Sequence, residues 1–407
     1  MIIKELNDTQ KTLLNILSAS FKKEKYQLTE DADLKGIYEE SKAQAVVLQV
    51  LNSVDTTKTT QNTFAEKWFS LSINYLKNNL AIHSNHNYLH RLMSENNTDY
   101  CVLKGSASAV YYPDPVMRTM GDVDFLVHTK DFEKATEILK NEGFAPLNSD
   151  THICHIALKK DKMHFEVHFA PAGMPEGNAG VLIKSYLEDI FETAQLTEIS
   201  GNQFMKPCDF HHGLIILMHI YHHMLSEGIG LRHLCDWAAF VNSLENDEFE
   251  KLFKEKLTAC GLWKFAQILS FLSHKYLNIE YKPFMEKADN ELCSELILDI
   301  FKGGNFGNKD KNRIFEGTAI SSRGKNGIKK SKLLQIISNM NSAALTQFAF
   351  LRKCQFLKPI GFIFIGTRFT FRIITGKRKM PDISKSFENA EQRKQIYKQL
   401  HLFETEE

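Results

Sequence analysis

Apolar positions in the first 95 residues recur at helical spacing. Leu13, Leu14, Ile16 and Leu17, then Ala45, Val46, Val47, Leu48, Val50 and Leu51, then Phe64, Trp68, Leu71 and Tyr75 each form a stripe along one helix face, with polar turns between them. This stretch offers no evident catalytic pattern. From about residue 98 the period shortens. Tyr100 to Leu103, Val123 to Val127, Ile153 to Leu158 and Met163 to Phe169 read as strands, and Thr129 to Glu142 as a helix stopped by Gly143. The last two strands, joined by Lys159 to Lys162, predict a hairpin. Beyond Pro207 long amphipathic segments return and run to about residue 301, and a Gly-, Lys- and Asn-rich stretch from Gly303 to Lys330 predicts a mobile loop. The expected organisation is α+β: helices over 1–95, a small mixed-sheet domain over 96–205, a larger helical domain over 206–302, the loop over 303–330 and a C-terminal helical region over 331–407.

Charge and cysteine usage narrow the partners. The 407 residues hold 50 Lys and Arg against 49 Asp and Glu, a net charge of +1, so no global field recruits nucleic acid or an anionic membrane. Any such partner must be met locally. The seven cysteines are scattered and never spaced as C-x-x-C, which argues for reduced thiols in a cytoplasmic protein and against a zinc knot or a disulfide framework. Acids early in the N-terminus and the lack of a long apolar core there argue against a signal peptide.

Chemistry concentrates in Lys104-Gly105-Ser106 and in Gly121-Asp122-Val123-Asp124-Phe125-Leu126-Val127. Side chains on a strand alternate between faces, so Asp122 and Asp124 point the same way. Paired carboxylates at a strand end invite a divalent cation, and oxygen ligands completed by substrate phosphates are the usual way proteins hold Mg²⁺. Phosphoryl or nucleotidyl chemistry is therefore the leading reading. In His164-Phe165-Glu166-Val167-His168-Phe169, Glu166 shares a face with His164 and His168, while the apolar residues take the core side. If that strand pairs with the aspartate strand, three carboxylates converge, and their mutual repulsion implies a metal or a shared proton. Lys104 and Arg118 are the nearby cations able to meet a triphosphate, one as a point charge and one with a planar fork. Each residue also has a plainer role. Asp-x-Asp is common on solvated strand ends, Glu166 could be a surface acid and Arg118 half of an ordinary ion pair. His168 could orient Glu166, contact substrate, or simply pack.

Two later segments remain open. His211, His212, His219, His222 and His223 fall on one predicted helix, and His219 with His223 has the i, i+4 spacing of a metal pair; with no Glu after His219 and no His-Asp doublet, interhelical packing is the preferred reading. The apolar run Pro359 to Thr367, followed by Arg368, Arg372, Lys377, Arg378 and Lys379, is too short to span a membrane. Residues 359–379 could lie on a membrane surface or end a buried helix.

Leu103-Lys104-Gly105-Ser106, a Tyr-containing spacer, Arg118, Gly-Asp-Val-Asp-Phe-Leu-Val and Glu166-Val167-His168 together resemble the nucleotidyltransferase superfamily with the DNA polymerase beta-like palm, and more narrowly a bacterial family of uncharacterised nucleotidyltransferases. The likeness covers roughly residues 85 to 240. It implies a palm flanked by helices, with Gly105 and Ser106 holding the triphosphate, Asp122 and Asp124 binding Mg²⁺ or Mn²⁺, and Glu166 completing the metal site and helping to activate an acceptor hydroxyl. Gly228 to Asp236 resembles the narrower family's helical lid, in which Arg232 and Asp236, four apart, either pair on one helix face or cover the nucleotide. The implied reaction moves a nucleoside monophosphate from a nucleoside triphosphate to a hydroxyl-bearing acceptor and releases pyrophosphate. The alternatives are a catalytically silent nucleotide-binding adaptor, and a transferase acting on RNA ends or on protein. The 15 residues between Ser106 and Asp122 exceed the superfamily's usual gap, and Pro113 and Pro115 within them favour a turn over a continuous helix.

Overall fold

In the computed structural model the described residues are 5–58, 62–147, 155–171, 173–175, 177–245, 247–285, 290–310, 312–313, 316–317, 363–364, 367, 371 and 383–403. The N-terminal stripes become α1 (Asp8–Phe21), α2 (Leu34–Ala43), α3 (Val47–Ser53) and the long α4 (Asn62–Glu95). Asn7 starts α1 with a capping box, exchanging hydrogen bonds with Gln10. A short parallel pair, β1 (Tyr26–Gln27) and β2 (Val54–Asp55), ties this helical layer together.

The sheet follows. Its strands are β3 (Tyr100–Val102), β4 (Val123–Val127), β5 (Ala145–Pro146), β6 (His155–Lys160) and β7 (Met163–His168), in the order β3-β4-β7-β6-β5. The β4 and β7 pair is parallel and the other three are antiparallel, so the sheet is mixed and the fold class is α+β, as the sequence led one to expect. On one face Val123, Phe125, Val127, Phe165 and Val167 pack against Leu89, Leu92 and Met93 of α4 and against Ala135 and Leu139 of α6 (Phe132–Asn141). On the other face Cys101, Leu103 and Leu126 meet Ile190 and Ile215 in a small separate cluster. Burial of the first face anchors the second, since a one-residue slip would invert every side chain.

The short α5 (Gly105–Ala109) follows β3, and a tight helical turn, Pro115–Met117, breaks the interval before β4 as the prolines suggested. The β6–β7 turn is tighter than expected: β6 runs on to Lys160 and leaves only Asp161 and Lys162 before β7, with Asp161 at φ +52°. After β7 come α7 (Asn178–Tyr186) and a hairpin of β8 (Gln195–Ile199) and β9 (Asn202–Lys206), neither evident from the apolar pattern. Then follow α8 (Asp209–Leu225), α9 (Leu231–Ser243), α10 (Glu248–Ala259), α11 (Trp263–Leu277), α12 (Asn290–Gly303) and α13 (Ile383–Lys398). The start of the expected mobile loop is packed: Asn308 donates to the Ala43 carbonyl at 2.9 Å and Lys309 pairs with Glu40 at 2.8 Å. Most of 311–330, and the 359–379 segment apart from Ile363, Phe364, Thr367 and Phe371, lie outside the described residues. No described helix is long and apolar enough to cross a membrane.

Candidate active site

Strand register assembles the site. Asp124 on β4 lies directly opposite Glu166 on the parallel β7, and His168 on β7 lies directly opposite His155 on the antiparallel β6. Glu166 and His168 are two apart, so all four side chains leave the same face, the one turned away from the phenylalanine core. His168 Nε2 sits 3.0 Å from Asp124 Oδ1 and 3.4 Å from Glu166 Oε2. His155 Nε2 is 3.8 Å from the same Glu166 oxygen, and the two imidazole centres are 4.6 Å apart. Lys104 Nζ donates to Asp124 Oδ1 at 3.3 Å. Asp122, exposed just before β4, opens onto the same cavity of about 650 Å³, which Gly105, Arg232 and Phe306 also line. That volume suits a nucleotide-sized ligand.

The charges are unevenly stabilised. Burial alone would raise the Asp124 carboxyl, but the Lys104 ammonium and the His168 imidazole outweigh it and hold Asp124 well below the ordinary carboxylate range. Glu166 moves the other way: burial first, then the negative charges of Asp124 and Asp122, push its carboxyl up against the opposing His168 hydrogen bond. Two neighbouring acids thus differ in proton affinity, the arrangement expected where one stays ionised and the other can exchange a proton.

Backbone geometry at the cavity edge is unusual. Lys104 has φ +52° and Gly105 φ +44°. A side chain at Gly105 would be strained by that dihedral, yet a Cβ there would meet nothing within 4 Å, so the backbone borders open space. A non-glycine residue at positive φ stores of order 1–3 kcal/mol and marks positions the surrounding structure over-determines. Ser106 departs from expectation. Its side chain is buried on the inner side of α5, facing His83 Nδ1 at 3.2 Å and Met120 Sδ at 3.5 Å, so its hydroxyl is turned away from the cavity.

Arg118 and Asp236 form a buried pair. Arg118 Nε and NH2 donate to the two Asp236 oxygens at 2.7 Å each, and the Tyr112 hydroxyl adds a third bond at 2.6 Å. Of the two readings of Arg232 and Asp236, the i, i+4 pair does not form, since the Asp236 carboxylate is taken by Arg118. Asp236 turns inward because the buried Arg118 fork needs a bidentate carboxylate. Arg232 has no ion pair among the described residues, and its guanidinium lies 5.4 Å from the Phe306 ring centre. The start of α9, read as a lid, is tied down: Gln44 receives hydrogen bonds from the Leu231 and Arg232 amides. Asn79 of α4 does the same for the segment leading to Asp122, donating to the Val116 and Arg118 carbonyls and accepting from the Met120 amide.

The far wall of the cavity carries the α8 histidines. His219 and His223 have ring centres 4.3 Å apart, His233 of α9 joins them, and His223 Nδ1 faces Glu227 Oε1 at 3.1 Å. Burial holds His219 and His233 well below the usual imidazole value, so these rings are neutral. Among the described residues His155, Glu166 and His168 form a group of three donors close enough to share an ion, while the His219 and His223 rings lie edge to face. His155 was missed as a site residue. The signal was present, because a two-residue turn at Asp161 and Lys162 forces residue 155 opposite residue 168.

The family model described as "Uncharacterised nucleotidyltransferase" matches residues 30–278. None of the curated proteins matches the chain. Among solved structures, a nucleotidyltransferase-like antigenic protein from Paracoccidioides brasiliensis is similar at 17% identity and a TM-score of 0.33, over 49% of this chain and 94% of that one.

Proposed function

The chain belongs to the uncharacterised nucleotidyltransferase family and is a nucleotidyltransferase; from that premise we propose that Asp122, Asp124 and Glu166 form its metal-dependent centre, on a DNA polymerase beta-like palm. The reaction moves a nucleoside monophosphate from a nucleoside triphosphate to a hydroxyl-bearing acceptor. The observation that supports this reading best is the register that sets Asp124 against Glu166, with Asp122 just before β4, all three opening on one cavity.

The donor set fits Mg²⁺ or Mn²⁺: three carboxylates border one cavity, oxygen donors of the kind a hard divalent cation takes. Asp122, Asp124 and Glu166 would hold the ions. Bound there, they would neutralise charge on the entering and leaving oxygens of the transferred phosphoryl group. The chain's own groups supply the rest. Lys104, fixed against Asp124, and Arg232, without a carboxylate partner among the described residues, meet phosphate oxygens. The open backbone at Gly105 allows those oxygens close approach. Glu166, beside His168 Nε2 at 3.4 Å, would help draw the proton from the acceptor hydroxyl. Arg118 acts through Asp236 and positions α9 against the strand-leading segment. A cytoplasmic location belongs to the same reading, on the cysteine pattern.

The test incubates the protein with each α-labelled nucleoside triphosphate, Mg²⁺ or Mn²⁺, and a boiled cell extract as acceptor pool. Metal-dependent pyrophosphate release with at least one nucleotide is expected, falling at least about 100-fold in Asp122→Asn. Release at the wild-type rate in that variant would refute the assignment.

A further inference from the structure

We infer that this centre holds a first-row transition ion such as Mn²⁺ through nitrogen as well as oxygen, with His155 Nε2, His168 Nε2 and a Glu166 carboxylate oxygen as its ligands, in preference to Mg²⁺. The inference deepens the reading above by naming the cation class, and it adds His155, which no carboxylate motif includes.

Three observations carry it. The donor atoms of His155, Glu166 and His168 all lie within 4.8 Å of one another, so modest side-chain adjustment brings them to the bond lengths of roughly 2.0–2.2 Å that a transition ion takes from imidazole and carboxylate. Their scaffold is stiff: His155 and His168 are direct cross-strand neighbours, and Glu166 precedes His168 by two residues on the same face, so sheet geometry sets their spacing with no loop to organise. His168 Nε2 also stands between two carboxylates, 3.0 Å from Asp124 and 3.4 Å from Glu166, where a positive centre shared by nitrogen and oxygen donors would be stabilised.

Ligand chemistry then sets the preference. Mg²⁺ seeks oxygen in near-ideal octahedral geometry, and imidazole adds little to its binding. Manganese and the later first-row ions accept imidazole nitrogen, and their affinity for such sites rises along the series. An oxygen-only centre would be indifferent to His155; a mixed one depends on it. Glu166 is common to both donor sets, so the nitrogen-bearing position adjoins Asp122 and Asp124.

The experiment uses the metal-stripped, full-length protein without nucleotide. Mn²⁺ is titrated in, its affinity is measured against competing Mg²⁺, and electron spin-echo envelope modulation reads ¹⁴N coupling at the bound ion. The expected results are ¹⁴N modulation in the wild type, Mn²⁺ held at least about tenfold more tightly than Mg²⁺, and a loss of about tenfold or more in Mn²⁺ affinity with weakened modulation in His155→Ala. His155→Gln, which keeps the side chain's bulk and polarity, should give the same loss, with circular dichroism establishing that both variants are folded. A spectrum with no ¹⁴N coupling, or the same Mn²⁺ affinity in folded His155→Ala and His155→Gln, would overturn the inference. Because no turnover is read, a protein inert toward every nucleotide could still pass. An active enzyme with oxygen-only coordination would fail this test while leaving the transferase reading intact.

Discussion

Replacing Asp236 with alanine should destabilise the protein far more than an average substitution. Asp236 is 8% exposed and Arg118 5%, and two hydrogen bonds of 2.7 Å join them, with the buried Tyr112 hydroxyl as a third donor. Removing the carboxylate leaves a guanidinium in the protein interior with no counter-charge, which costs about 3–5 kcal/mol. The orphaned Tyr112 hydroxyl falls within that range, because both donors lose the same acceptor. Equilibrium urea denaturation followed by circular dichroism measures the loss. The double variant Arg118→Met/Asp236→Ala removes the stranded charge and should recover most of it, since an apolar replacement of a buried pair is often close to neutral. The physical claim is that the unpaired charge, not the missing contact, carries the cost. A single-variant loss under about 1 kcal/mol, or a double variant as unstable as the single, would refute it.

Other outcomes follow from the same geometry. Glu166→Gln should stabilise the metal-free protein at neutral pH. The folded carboxyl binds its proton more tightly than the unfolded one, so native stability falls as pH rises from the ordinary glutamate value of 4.5 through the raised folded value. Thermal melts with chelator should therefore show a gain at pH 7.5 that fades toward pH 4.5; a gain that grows in acid would contradict the sign. Ser106→Ala should cost about 1 kcal/mol and leave turnover within about threefold, because its hydroxyl serves His83 and not the cavity; a 100-fold loss of activity would restore it to the phosphate site. Burial raises the Cys208 thiol, but the hydrogen bond to His211 at 3.2 Å prevails and brings it to about 7. Iodoacetamide mapping at pH 7 should label Cys208 before the buried Cys101, Cys235 and Cys260, and His211→Ala should slow that labelling; equal rates would contradict it.

Much of the site was legible because its residues obey short-range rules. Period-two alternation put Asp124 on one strand and Glu166 with His168 on its neighbour on equivalent faces, and burial of Phe125 and Phe165 fixed which face that was; Asp122 precedes the strand and lines the same cavity. The sequence could not supply partners set by distant packing. Arg118 and Asp236 meet only because α9 packs beside the strand-leading segment, so the nearer Arg232 looked like the natural partner. Ser106 follows a glycine at positive φ, and that turn rotates the hydroxyl inward, where the motif suggested a phosphate. The β8–β9 hairpin was readable in principle from Ser200 and Gly201, both at positive φ as a tight hairpin turn requires, but its strands alternate too weakly to stand out. His155 needed the register of a turn rather than any motif of its own.

The central claim is that Asp122, Asp124 and Glu166 act together on a nucleotide, and pyrophosphate release in Asp124→Asn tests it most directly. Asparagine keeps the shape of a side chain that accepts from Lys104 and faces His168, so the fold should survive while the charge is lost. The account predicts metal-dependent release in the wild type and at least about a 100-fold fall in a folded Asp124→Asn. Release undiminished in that variant would contradict it.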